Sequence, residues 1–395
     1  MKRDLSLLLI VFSIAIAMVL IALYVPHSLP AHSDFSALYN TDLALVHRVP
    51  IYALEDVEAL AVQYAGIPED RFFLARFPYP PWYALSTFYL GLMPARAAAL
   101  LWFELNLVML FLSIWLLTDG WPGRLRLIAF PLALFFLPVL GVLSVGQYDF
   151  PVLLGTSLLV YSLRREHIPL TVLGMVLLTF KPHIGALILL AALGWLFFHS
   201  RTFGWRVSRP LLAVAGVLFA TGFIADPRWI VRYPLMLLNY QNEGNVSACS
   251  ECASLPVWLS RWFLDGSLTS AAWIAVVLLI FLVGSLYALR ASLKFPELLL
   301  CTALLVTLVV SPYLYNYDYL LLLVPFAVLI RRSHWTVNVV ILLCYLVPTF
   351  AILVYGRNGN LSLAAAALIM LILLYTSAKK VVIDFPVRTA YNTNK

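Results

Sequence analysis

Apolar stretches nearly free of charge recur along this chain, separated by short polar or basic connections. The first runs from Leu5 to about Val25 behind Met1-Lys2-Arg3, roughly the 20 residues that a helix needs to cross ~30 Å of hydrocarbon. Its length exceeds a signal-peptide core, and no clean small-residue cleavage site precedes Pro26 and His27, so the pattern predicts a retained first span. Further runs lie at about 97–118, 126–143, 148–163, 168–182, 184–199, 210–225, 268–289, 297–313, 317–330, 336–355 and 360–377. Together they predict about twelve membrane helices. Several fall short of 20 residues, as expected for tilted or broken helices enclosed by protein. The stretch between Pro81 and Pro94 is short and bounded by prolines, which predicts an interfacial or re-entrant segment; a full crossing there would be a thirteenth span.

Charge orders these runs. Placing Lys2/Arg3, Arg124/Arg126, Arg164/Arg165, Arg201/Arg206/Arg209, Arg290/Lys294, Arg331/Arg332 and Lys379/Lys380 in the cytoplasm puts every second connection on one side. Two larger segments, 26–96 and 226–267, then face outward, the first with short helical patterns such as Ser33 to Val46. With no internal repeat and no long linker, a single membrane domain over 1–395 is the simplest organisation. Composition agrees. The 395 residues are 63% hydrophobic and 11% charged, against about 25% charged in soluble domains. The excess of 26 Lys+Arg over 19 Asp+Glu reads as orienting charge on a bilayer protein, with no nucleic-acid partner. Four cysteines are too few for a disulfide scaffold.

Polar residues at the outer boundary are the candidates for chemistry. Asp34 lies where the chain leaves the first span; a partly desolvated carboxylate there could take a proton from a hydroxyl, and capping a helix at Phe35 is its competing role. Arg76-Phe77-Pro78-Tyr79-Pro80-Pro81-Trp82 reads as membrane re-entry. Gly146-Gln147-Tyr148-Asp149 and Lys181-Pro182-His183 put ionisable groups at span edges, where each is costly to keep. Lys181 could pair with a phosphate or snorkel to the headgroups. Asp149 could cap a helix or contact a ligand. The second outer segment holds Asp226, Arg228, Arg232 and a polar run with Asn245 and Ser247, whose amides and hydroxyls suit sugar recognition. Cys249 and Cys252 in that segment are the disulfide candidate. They lack the further ligands of a zinc site, so no metal and no cofactor is expected. Finally, Ser311-Pro312-Tyr313-Leu314-Tyr315-Asn316-Tyr317-Asp318 interrupts two apolar runs; aromatics are common at an interface, whereas Asp318 needs a cation or a polar cavity.

The order of these pieces resembles glycosyltransferase family 87, the polyprenol-phosphate-mannose-dependent mannosyltransferases of the glycosyltransferase C superfamily. The matching elements are Asp34 followed by Tyr39, the Tyr79-Pro80-Pro81 re-entry, Trp102 with Asn106, Gly146-Gln147, Lys181-Pro182, Asn245 with Ser247, and Ser311-Pro312 before an aromatic cluster. The resemblance spans about residues 30–330. It implies the glycosyltransferase C-type fold, which agrees with the all-α polytopic membrane protein of about twelve or thirteen transmembrane helices and a helical first external loop that the apolar runs predict. It further implies an inverting transferase with Asp34 as catalytic base, whose partners are a polyprenyl-phosphate-linked sugar donor, a glycolipid or glycan acceptor and the bilayer. Lys181, Arg228 and Arg232 become candidates for the donor phosphate. Tyr39, Tyr79, Gln147, Asp149, Asn245, Ser247, Asn316, Tyr317 and Asp318 become candidates for substrate contact.

The chain departs from that pattern after Ser311-Pro312, where many relatives carry Trp and His and this one has Tyr315-Asn316-Tyr317-Asp318. The expected activity is transfer of mannose, or arabinose, on the outer or periplasmic face of the cell membrane. The alternative is a transporter or flippase of a lipid-linked saccharide, which would place its polar groups at the midplane of internally repeated halves.

Overall fold

A computed structural model describes residues 34–65, 76–240, 252–287, 295–330 and 335–384, besides residue 19. Apart from residue 19, the first apolar run, with Lys2 and Arg3, lies outside the described residues, as do Asn245, Ser247, Cys249, Arg290, Lys294, Arg331 and Arg332. Helices make up the described chain, which holds no strand. They are α1 (Asp34–Val46), α2 (Leu54–Ala65), α3 (Pro81–Thr87), α4 (Ala95–Leu117), α5 (Gly123–Leu134), α6 (Leu137–Val145), α7 (Asp149–Ser162), α8 (Ile168–Leu178) and α9 (Pro182–His199). After these come α10 (Arg201–Ala225), α11 (Trp229–Tyr240), α12 (Leu255–Phe263), α13 (Leu268–Tyr287), α14 (Pro296–Val310), α15 (Leu323–Ile330), α16 (Trp335–Tyr355) and α17 (Leu361–Asp384).

Among the described residues four helical stretches are long and apolar enough to cross a membrane: Ala95–Leu117, Pro182–His199, Arg201–Ala225 and Trp335–Thr376. Two bent pairs, Gly123–Leu134 with Leu137–Val145 (55°) and Leu255–Phe263 with Leu268–Ile280 (116°), raise the number among the described residues to six. Ile168–Leu178, Pro296–Val310 and Asn316–Ile330 are apolar but shorter. Pro81–Thr87 continues into a 3-10 turn over Phe88–Leu92 and falls well short of ~30 Å.

The widest shift from the sequence pattern is at the start of α10. The run read as starting at 210 begins at Arg201, so Arg201, Arg206 and Arg209 lie inside α10 rather than in a connection. Arginine is a good helix former, and charge in the first turns says nothing against a helix that a hydropathy pattern would truncate. Gly204 helps start it: a Cβ there would stand 2.7 Å from the Leu196 carbonyl oxygen, so only glycine permits that approach.

The chain divides into two compact units. The first comprises Met1–Gly155, Val176–Pro182 and Ser208–Val246. In it, α1 lies against the Phe88–Leu92 turn so closely that a Cβ on Gly91 would meet the Asp42 carbonyl oxygen at 2.4 Å. Tyr39 Oη donates to Met93 O at 2.9 Å on the same face. Gly222 gives α10 a similar approach to Trp229, whose indole packs edge-on to Trp82.

The second unit comprises Thr156–Met175, His183–Val207 and Ser247–Lys395. Its core is α14 and α15, apolar except for Glu297, Thr302 and Thr307 and buried almost throughout, the pattern of helices enclosed by others. This explains why their sequence runs are short. By contrast α16 leaves Leu342, Val347, Phe350, Leu353 and Val354 exposed, a surface suited to hydrocarbon rather than water.

Candidate functional site

Asp34 is the first residue of α1, at the helix end where backbone N–H groups favour a negative charge. It is half-buried. Its surroundings come from the α6–α7 junction, 113 residues away in sequence. There α6 ends at Gly146, which adopts φ 69°, a left-handed conformation that glycine takes at no steric cost. Trp102 Nε1 on α4 donates to the Gly146 carbonyl at 2.9 Å, and the Gln147 N–H closes on Val142 O at 3.1 Å.

The next three residues each reach a functional candidate. Gln147 Nε2 donates to Asp34 Oδ2 at 3.1 Å. The Tyr148 hydroxyl donates to the backbone carbonyl of Asp34. Burial and the nearby Asp34 carboxylate push that hydroxyl well above its ordinary pKa of 10.0, so it stays a neutral donor. Asp149 accepts from Lys181 Nζ at 2.7 Å, both side chains being almost wholly enclosed. Asp34 and Lys181 are thus joined through consecutive residues of one junction.

Around Tyr148 stands an aromatic cluster built from the proline-rich segment. Tyr79 packs on Tyr148 at 4.9 Å between ring centroids, Phe77 at 5.9 Å and Tyr83 at 5.8 Å, and Tyr83 stacks on Phe180 at 4.4 Å. All four rings of Phe77, Tyr79, Tyr83 and Tyr148 are buried. The sequence reading of this segment as a re-entry signal missed that its rings wall the Asp34 junction. The signal available was the density of aromatics between prolines.

A line of contacts leads from this cluster to the corner between α10 and α11. Tyr52 Oη donates to Tyr79 O at 2.6 Å, and its ring lies 5.3 Å from that of Tyr233. The Ile51 N–H donates to Ala225 O at 3.3 Å. At the corner between α10 and α11, buried Asp226 accepts from the Arg228 N–H at 2.8 Å and from Arg232 Nη1 at 3.3 and 3.4 Å. Phe223, Pro227, Arg228, Ile230, Val231 and Arg232 line a groove of about 470 Å³ there, mostly apolar with two guanidinium groups. Arg228 is exposed and Arg232 one-third exposed on its side chain.

One acid had no role in the sequence reading. Asp42, two turns after Asp34 on α1, is 0% exposed. Thr87 Oγ1 donates to its Oδ1 at 3.1 Å, and its Oδ2 has no hydrogen-bond partner. Burial drives its carboxyl well above 3.8, outweighing the Thr87 bond that lowers it. Asn106, one turn beyond Trp102, is also buried with both amide atoms unpartnered.

The remaining candidates belong to the second unit. Asp318 Oδ2 accepts from the Tyr315 N–H at 2.6 Å and caps the Asn316–Leu322 turn, so its carboxylate serves the local backbone. Tyr317 stacks on Tyr315 at 5.1 Å, and Asn316 is half-exposed beside it. Ser254 Oγ donates to Ser311 O at 2.6 Å, the Ala253 N–H to Leu314 O at 2.8 Å, and Tyr319 Oη to Ala253 O at 3.1 Å. Cys252, at the start of that seam, is disulfide-bonded, while Cys301 and Cys344 are buried and form no disulfide. Among the described residues no group of His, Cys, Asp or Glu is placed to hold a metal ion.

Apolar helices with exposed hydrophobic sides, and a half-buried carboxylate held at a helix start by the α6–α7 junction, define a multi-pass membrane protein with a polar site at a helix junction. The family model of glycosyltransferase family 87 matches residues 77–312, more than half of the chain, and the chain belongs to that family. It is accordingly a membrane glycosyltransferase, acting on a sugar donor and an acceptor. No curated protein and no solved structure gives a match.

Proposed function

We propose that this glycosyltransferase moves a sugar, mannose or arabinose, from a polyprenyl-phosphate-linked donor to a glycolipid or glycan acceptor, with inversion and with Asp34 as general base. In this step the Asp34 carboxylate takes the proton of an acceptor hydroxyl. The hydroxyl oxygen bonds to the anomeric carbon, and the carbon–oxygen bond to the phosphate breaks, its electron pair leaving with the polyprenyl phosphate. The observation that carries the reading is Asp34 itself: a half-buried carboxylate at a helix N-terminus, held by Gln147 and Tyr148 from a junction 113 residues distant. A general base needs such fixed placement more than it needs burial.

For the donor phosphate the groove at 223–232 is favoured. Lys181 is 2% exposed and within 2.7 Å of Asp149, which argues against its reaching a lipid. Arg228 and Arg232 sit beside apolar residues, a combination that suits a phosphate on a prenyl chain; a guanidinium there would stabilise charge on the departing phosphate. Of the candidates for substrate contact, Tyr39, Tyr79, Asn245, Ser247, Asn316 and Tyr317 stand individually, while Gln147, Asp149 and Asp318 are engaged by Asp34, Lys181 and the Tyr315 N–H.

The fold we assign is the glycosyltransferase C type, a single membrane domain with twelve or thirteen spans and external loops at 26–96 and 226–267. We place its site on the non-cytoplasmic face of the cell membrane, with Cys249 and Cys252 paired. Family membership favours this over a flippase. Asp34→Asn, assayed in membranes with labelled polyprenyl-phosphate sugar, should lose transfer; full transfer by a normally inserted variant would overturn the mechanism.

A further inference from the structure

The amide of Gln147 is oriented from both ends. Its Oε1 accepts from the Tyr148 backbone N–H at 2.9 Å, which leaves Nε2 as the end that meets Asp34 Oδ2 at 3.1 Å. The reverse orientation would set an N–H against an N–H and a carbonyl against a carboxylate, so the network selects this one. The backbone beneath it is pinned as well. Gly146 takes the left-handed turn, Trp102 holds its carbonyl, and the Gln147 N–H is tied to Val142 O. The neighbouring Tyr148 hydroxyl holds the Asp34 main chain. Two adjacent residues therefore grip one aspartate by its carboxylate and by its backbone.

Gln147 is only 4% exposed. So little surface suits a residue that acts on another residue better than one that binds sugar directly. We propose that Gln147 is the positioning residue for Asp34, fixing the rotation of its carboxylate toward the acceptor hydroxyl. This rests on the reading of Asp34 as general base. Positioning of this kind has a large effect on rate, since a displacement of about 1 Å at a reacting group can cost ~10²-fold.

The test uses two variants of the full-length protein. Gln147→Glu keeps the shape and can still accept the Tyr148 N–H, yet replaces the amide donor with a second carboxyl that repels Asp34 or shares a proton with it. Gln147→Met keeps the volume and removes both bonds, and it carries the test if the paired carboxylates of the first variant prevent folding. With a polyprenyl-phosphate-linked sugar and a soluble acceptor analogue, kcat should fall ~10²-fold while KM for both substrates stays within about 2-fold. The double variant Asp34→Asn with Gln147→Met should be no slower than Asp34→Asn alone, because a positioning group has nothing left to position. A raised KM at unchanged kcat would make Gln147 a substrate ligand, and an additive loss in the double variant would do the same. Wild-type kcat in both Gln147 variants would dismiss the role. If Asp34→Asn is inactive in that last case, only the Gln147 inference fails; if Asp34→Asn is active, the general-base reading falls and this inference with it.

Discussion

Lys181 Nζ stands 2.7 Å from Asp149 Oδ1, with both side chains enclosed. Two buried charges in contact are tolerated because each compensates the other, and removing one takes that compensation from the other in a poor solvent for ions. Lys181→Met and Asp149→Leu should each lower stability by about 3–5 kcal/mol, while the double variant should lose much less than the sum. Thermal unfolding of the detergent-solubilised protein checks this. Equal, additive losses would mean that the two side chains are not energetically coupled.

Asp42 makes stability depend on pH in a definite direction. Its carboxyl is raised well above 3.8 by burial, so over the window from 3.8 up to that higher value the folded chain keeps a proton that the unfolded chain has lost. The stability it contributes is present below 3.8 and is lost as pH rises through the folded value. Tyr83, Tyr89 and Tyr148 are the titratable groups electrostatically coupled to it, all neutral in this range. Asp42→Asn mimics the protonated acid. Its unfolding temperature should vary less between pH 4 and 8 than that of the wild type and should match or exceed it at the upper end.

How far the sequence reveals such features depends on whether they are local. The runs at 97–118, 184–199, 336–355 and 360–377 coincide with α4, α9, α16 and α17 because hydrophobic length is a property of consecutive residues. Asp34 stood out for the same reason, as an isolated acid after an apolar run. The grip of Gln147 on Asp34 crosses 113 residues and has no local signature. Asp42 was passed over because its neutrality is set by packing: α1 presses on the 88–92 turn, and only the nearness of Gly91 and Thr87 shows that no water reaches the acid. Lys181 was legible as a costly charge, but its partner Asp149 lies 32 residues away in sequence, and a cation alone suggests a phosphate as readily as a carboxylate.

The same packing makes Gly91 intolerant of a side chain. A Cβ would lie 2.4 Å from Asp42 O, 2.5 Å from its carbonyl carbon and 2.7 Å from Leu43 N, and backbone atoms cannot rotate away as a side chain could. Gly91→Ala should cost about 1–3 kcal/mol, the usual range for overpacking. Gly216 on α10 has no atom within 4 Å of such a Cβ, so Gly216→Ala should be neutral or stabilising by up to ~1 kcal/mol through helix propensity. Unfolding temperatures of the two variants should move in opposite directions.

Arg228 and Arg232 share a groove, and they meet Asp226 in different ways. Arg232 is held by Asp226 at 3.3 Å, whereas Arg228 contributes only its backbone N–H to that carboxylate. If the groove takes the donor phosphate, Arg228→Gln should raise KM for the polyprenyl-phosphate sugar by ~10-fold, the worth of one charge-assisted contact, without disturbing the fold. Arg232→Gln should do the same and also destabilise the α10–α11 corner, since Asp226 is 0% exposed and would lose its cation. The acceptor KM should not move in either variant. Initial rates at varied donor, set beside unfolding temperatures, separate the two effects: a donor KM unchanged in both variants would remove the groove from the donor site, while a stability loss confined to Arg232→Gln would still define the role of Asp226.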